Sequence, residues 1–235
     1  MRYLVLVLMA GTALARGVTK ESITSGGQQR TYYLFVPEHP TGPLIVALHG
    51  SGRNGSILLE HWQRLAEKEG IVLAGPDSIN TQQWAYPVDG PDFLRDVIEA
   101  VKAKVTIDPH RIYLFGHSAG AMFALQLSLM ESEYFAATAI HAGVLQPHDY
   151  PLTANAQRKI PIWMLVGTND RLFPLEAVRA TRDELKKDGF PVELVEILRH
   201  THDYYSRSRE INDKAWAFLS RQSLVSDPKY LTYAH

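Results

Sequence analysis

The chain has 235 residues, 46% hydrophobic and 21% charged, the composition of a soluble globular protein with room for one α/β domain or two small ones. Its 24 basic and 25 acidic residues leave a formal net charge of −1. That argues against a nucleic-acid partner or a polybasic membrane patch and suits a neutral or small apolar substrate. The lack of cysteine excludes a thiol nucleophile, a Cys-ligated zinc and disulfide support.

Along the chain, Met1-Arg2, an apolar run over 3–10 and Ala13-Leu14-Ala15 read as a secretory signal peptide cut after Ala15. The mature protein is then secreted or periplasmic. The apolar run is too short to span a bilayer, so no stable membrane insertion is expected. A buried N-terminal strand is the alternative reading. Residues 31–36 are strand-like, and the continuous apolar run 44–48 suits a buried parallel strand. Residues 56–69 carry Leu58, Leu59, Trp62, Leu65 and Ala66 at helical spacing, with Gly70 as the stop. A strand over 71–74 follows, then a helix over 92–105. Strand 111–115 runs into a helix ending at Met130, and further strands are expected over 137–140, 160–166 and 192–198. Helices over 175–187 and 211–219 complete the pattern. This alternation predicts an α/β fold, a mostly parallel sheet with helices on both faces. The stretches 78–90 and 144–159 lack periodicity and follow strands, which places them at the carboxyl edge of the sheet, where ligands bind. No repeat or linker interrupts the chain, so residues 16–235 read as one domain with its core at about 30–220.

The strongest chemical signal is Gly116-His117-Ser118-Ala119-Gly120 between a strand and a helix, a G-x-S-x-G nucleophile elbow in its required setting. A serine hydroxyl needs a base to take its proton and an acid to orient that base. In this setting the expected chain order is Ser, then Asp or Glu, then His, each after a strand. Asp170 follows strand 160–166, and His202 follows strand 192–198 in Leu198-Arg199-His200-Thr201-His202-Asp203-Tyr204. His200 is the competing base, better suited to packing, and Asp77 and Asp149 are the competing carboxylates. The oxyanion donors expected are the amides of Ala119 and Ser51, with Gly52 in reserve. His49 and His117 pin loops, and His117 also faces substrate. Trp84 and Tyr86 are expected to flank the substrate, with Phe93, Phe173 and Tyr204 as further aromatic candidates.

Two other patterns compete. Gly50-Ser51-Gly52-Arg53-Asn54-Gly55 has the G-x-G-x-x-G form, with Asp77 about twenty residues on, as in a dinucleotide site. That reading leaves the elbow, Asp170 and His202 unexplained. His200-Thr201-His202-Asp203 faintly matches a metal motif, but its spacing is wrong. Neither a metal nor an organic cofactor is expected. A non-catalytic binder is disfavoured because every triad position is filled.

With these residues in view, the chain resembles the α/β-hydrolase superfamily. Within it, residues 32–219 are similar to the polyhydroxybutyrate-depolymerase and feruloyl-esterase-like branch. The closer likeness lies in Tyr33-Leu34-Phe35-Val36-Pro37, Val46-Ala47-Leu48-His49-Gly50-Ser51-Gly52 and Ile107-Asp108-Pro109-His110-Arg111-Ile112-Tyr113. The resemblance implies an α/β-hydrolase fold with little or no lid domain and a serine esterase acting on hydroxyalkanoate, feruloyl or acetyl esters. A serine peptidase or acyltransferase is the alternative. The chain departs from that pattern in having no cysteine, His-Asp-Tyr where many members have His-Thr-Trp, and no polymer-binding module.

Overall fold

The computed structural model describes residues 17–231, so the expected signal segment 1–15 lies outside the described residues. Eight strands form one sheet: β1 (Thr19–Ser25), β2 (Gln28–Phe35), β3 (Leu44–Leu48), β4 (Val72–Pro76), β5 (Ile112–His117), β6 (Ala137–His141), β7 (Ile162–Gly167) and β8 (Val192–Ile197). Their spatial order is β1-β2-β4-β3-β5-β6-β7-β8. The β1–β2 and β2–β4 pairs are antiparallel, and every pairing from β4 to β8 is parallel. The α-helices among the described residues are α1 (Gly55–Glu69), α2 (Pro91–Lys102), α3 (Ala119–Met130), α4 (Tyr150–Asn155), α5 (Leu175–Lys187) and, after β8, α6 (Ser208–Leu219).

Side-chain alternation on the central strands divides the core in two. Leu44, Val46, Leu48, Ile112 and Leu114 face one layer with Val97 of α2, Leu127 of α3 and Leu185 of α5. Ile45, Ala47, Tyr113 and Phe115 face the other with Trp62 of α1 and Phe218 of α6. Strands buried on both faces explain the unbroken apolar runs in the sequence. Gly70 ends α1 in the left-handed conformation (φ 72°), its amide donating to the Ala66 carbonyl.

The expected α/β architecture stands, with three adjustments. β1 is an added strand: an antiparallel edge whose polar residues alternate half-buried and exposed carries no apolar signal. The stretch 144–159 contains α4, six residues and too short for periodicity to register. Helix α2 stops at Lys102, three residues short of the expected end. The stretch 78–90 is irregular apart from an isolated bridge between Asn80 and Gln83. Both stretches follow carboxyl ends of strands, β4 and β6, as expected. Among the described residues, no helix is long and apolar enough to cross a membrane.

Candidate active site

At the end of β5 the chain reverses into α3 through Ser118, held at φ 57° and ψ −121°. Its flanking glycines are a steric requirement. A Cβ on Gly116 would lie 2.3 Å from the Gly120 carbonyl oxygen, and one on Gly120 2.1 Å from that of Leu48. The Ser118 amide donates to the His141 carbonyl at the end of β6 (3.1 Å). The turn thus aims the serine hydroxyl out of the sheet.

The three residues expected from chain order meet there. Ser118 Oγ is 2.9 Å from His202 Nε2, and His202 Nδ1 is 2.9 Å from Asp170 Oδ2. Asp170 Oδ1 accepts the amides of Leu172 and Phe173, both at 2.9 Å, so the carboxylate is fixed on both oxygens. Its side chain is fully buried. An acceptor at Nδ1 selects the tautomer with hydrogen on Nδ1, which leaves Nε2 free to accept from the serine. The Phe173 ring stacks on His202 at 5.5 Å, and the His117 ring packs against it at 5.0 Å. The loops bearing Asp170 and His202 touch: a Cβ on Gly167 would lie 2.1 Å from the His200 carbonyl oxygen.

Ser51 lines the same cleft as Ser118, and Ala119 is the next residue in the chain. Ala119 opens α3, where N–H groups have no acceptor within the helix. A Cβ on Gly50 would be 3.2 Å from Ser118 Cβ, so this loop packs against Ser118 at Gly50. The Gly52 amide is spent on the Thr81 carbonyl (2.8 Å), which leaves Ser51 as the loop's candidate. His49 pins this loop as expected. Its Nδ1 donates to the Gly50 carbonyl (2.9 Å), its Nε2 accepts the Ser78 amide (3.3 Å), and burial lowers its pKa.

The cleft above Ser118 has a volume of about 990 Å³. His117 is among its lining residues, together with Gly50, Ser51, Arg53, Arg171, Leu172, Asp203 and Tyr205. Trp84 and Tyr86, expected to flank the substrate, are not among the residues lining this cleft. Trp84 turns inward, donating from Nε1 to the His49 carbonyl (2.9 Å) and stacking on Phe123 at 5.4 Å. Tyr86 covers Gly90 and is 52% exposed. Phe93 lies in the core beneath the Arg30 guanidinium, and Tyr204 is buried with its hydroxyl on Asn212 Oδ1 (2.7 Å). Tyr205, the next residue, is the tyrosine that faces the cleft.

The competing residues have structural partners. Asp77 accepts the Gly55 amide (2.8 Å), and burial raises its pKa. Gly55 is needed for packing, since a Cβ there would meet the Gly75 carbonyl oxygen at 2.0 Å, so the G-x-G-x-x-G match marks a helix crossing a strand. Asp149 accepts from Gln126 Nε2 and the Gln146 amide. No metal-holding cluster occurs among the described residues. His200 is buried, its Nε2 3.1 Å from His141 Nε2, while His141 Nδ1 is 3.0 Å from His117 Nδ1. Desolvation pushes the His117 pKa down to about 3 and that of His141 to about 2, so both rings are neutral.

The profile of the Dienelactone hydrolase family matches residues 81–225. The chain is 29% identical over 159 residues to the bifunctional acetylxylan esterase/xylanase XynS20E of Neocallimastix patriciarum, covering 65% of this chain and 23% of that protein. It is 28% identical over 160 residues to feruloyl esterase B of Thermothelomyces thermophilus, covering 60% and 54%. The chain therefore spans about a quarter to a half of the length of these curated relatives. An S-formylglutathione hydrolase from Agrobacterium tumefaciens superposes with a TM-score of 0.69 at 18% identity, covering 90% of this chain and 98% of that one. This establishes the α/β-hydrolase fold.

Proposed function

The chain belongs to the dienelactone hydrolase family, and from that premise we propose that it is a serine carboxylic-ester hydrolase working through an acyl-enzyme. The observation that carries the proposal is the hydrogen-bonded row from Ser118 through His202 to Asp170, at the base of an open cleft. In this mechanism His202 Nε2 takes the serine proton as Oγ attacks the ester carbonyl, and Asp170 holds the imidazole and stabilises its cation. The amides of Ser51 and Ala119 receive the oxyanion. Losing one such donor costs about 2.7–4 kcal/mol of transition-state stabilisation in comparable sites. His202 then protonates the departing alcohol. A water molecule, deprotonated by the same nitrogen, attacks the acyl-enzyme and releases the acid.

Among the ester classes considered, acetyl and feruloyl esters are supported by the acetylxylan and feruloyl esterases among the relatives. His117 lines the substrate side, and every group in the mechanism is an amino-acid side chain, backbone amide or water. Export through the 1–15 leader belongs to the same proposal, and the secreted protein is expected to begin at Arg16 by intact mass.

The test is a panel of p-nitrophenyl esters of increasing acyl length with feruloyl and acetyl-sugar esters, run beside Ser118→Ala. Ester turnover abolished by the substitution supports the reading. Cleavage of peptide amides without esters would replace it with a peptidase, and ester turnover retained by Ser118→Ala would remove the elbow from the chemistry.

A further inference from the structure

Among the described residues, three other than glycine adopt positive φ: Ser118 (57°), Ala142 (55°) and Arg199 (59°). Each adjoins a buried histidine. Ser118 follows His117, Ala142 follows His141, and Arg199 precedes His200. Side chains other than glycine hold this conformation only where their surroundings over-determine it, and such strain gathers at functional sites.

The three histidines are joined in series through His141, whose Nδ1 reaches His117 Nδ1 and whose Nε2 reaches His200 Nε2. A neutral imidazole has one donor and one acceptor, so the middle ring spends both. Two arrangements satisfy every link. Either His117 donates to His141 and His141 to His200, or both bonds run the other way. The His141 carbonyl also accepts the Ser118 amide, so this residue holds the elbow by backbone and by side chain.

The sheet's topology gives these links their purpose. Ser118 leaves the end of β5, while His202 comes from the loop after β8, with β6 and β7 between them. At about 4.8 Å per strand, roughly 14 Å of sheet separates the two starting points. No ladder bond joins β5 to β8, so the 2.9 Å separation of Oγ and Nε2 depends on groups crossing the sheet's edge.

We propose that His141 is a positioning residue for the hydrolytic reaction, setting the elbow of Ser118 against the loop of His202 through its carbonyl and both ring nitrogens. The claim rests on the serine-hydrolase reading of the same site. It assigns a role to a residue whose ring touches neither substrate nor the reacting oxygen.

The test compares wild type with His141→Gln, which can keep one arm, and His141→Leu, which keeps neither. Phosphonylation of Ser118 by a small fluorophosphonate is followed by intact mass, with p-nitrophenyl acetate kinetics and thermal melting in parallel. The expected result is a folded variant phosphonylated about 10- to 100-fold more slowly, the cost of misplacing a reacting group by a fraction of an ångström to an ångström. kcat is expected to fall by the same factor, with KM moving less than about threefold, a split that a general loss of packing would not produce. Phosphonylation and kcat within about twofold of wild type in a folded variant overturn the proposal, as does a loss confined to KM. If neither His141 variant folds, His200→Leu, which cuts only the far arm, decides by the same criteria. A wild-type protein phosphonylated at Ser118 but inert to every ester would sink the esterase reading and leave the positioning claim to be judged on phosphonylation rates. A wild-type Ser118 that resists the reagent overturns both.

Discussion

Gly120 and Leu48 are packed backbone to backbone, so close that a methyl group on the glycine would stand 2.1 Å from the leucine's carbonyl oxygen. Leu48 ends β3 and leads directly into the loop bearing Ser51, so this contact fixes the distance between the two proposed oxyanion donors. Gly120→Ala must push that loop outward. We expect a stability loss of about 1–3 kcal/mol, typical of overpacking, and a loss of kcat in whatever protein remains folded. Urea titration and esterase assays on the soluble fraction measure both.

Asp170→Asn is predicted to leave the fold intact, because the retained amide oxygen can still accept from Leu172 and Phe173. Its NH₂ group would then face His202 Nδ1 and favour the tautomer whose Nε2–H opposes Ser118. A drop in kcat of about 10⁴-fold is expected by analogy with triads elsewhere. Circular dichroism should be unchanged, and a kcat within tenfold of wild type would remove Asp170 from the chemistry.

Stability should fall below neutral pH. His117 and His141 are held down to about 3 and about 2 by burial, against about 6.5 in an unfolded chain. From pH 6.5 downward the unfolded chain therefore binds two protons that the native one refuses, so the stabilisation is complete above pH 6.5 and is lost on acidification. Each proton contributes a slope of about 1.4 kcal/mol per pH unit. Urea midpoints between pH 7.5 and 5 should fall accordingly, and His141→Gln should flatten the dependence by one proton.

Asp89 is predicted to be the main support of the 78–90 loop. It is 1% exposed, lies 2.6 Å from the buried Arg30 guanidinium, and accepts the amides of Ile79 and Ala85, both at 3.0 Å. Asp89→Ala leaves Arg30 without its ion pair, a change that costs about 3–5 kcal/mol at comparable sites. A melting temperature lowered accordingly and faster proteolysis within 78–90 would bear this out.

Much of the candidate site was legible because its logic is linear. The elbow needs glycines two residues either side of Ser118, and the proposed acid and base follow β7 and β8 in chain order. Other features depend on directions that a sequence does not carry. Trp84 and Tyr86 sit in an irregular loop, where composition does not tell whether a ring turns toward substrate or toward a backbone carbonyl. Tyr204 and Tyr205 are neighbours, and only the local 3₁₀ turn decides which is buried and which faces the cleft. His141 closes a short strand and matches no motif. Its significance comes from His117 and His200, 24 and 59 residues away in the chain.

The proposed nucleophile and base are separated by 84 residues of chain, and the base and acid by 32. A copy whose last two strands have yet to dock carries a serine with nothing to activate it. On the proposed mechanism reactivity arrives only with the completed sheet, so nascent or truncated copies stay chemically silent during synthesis.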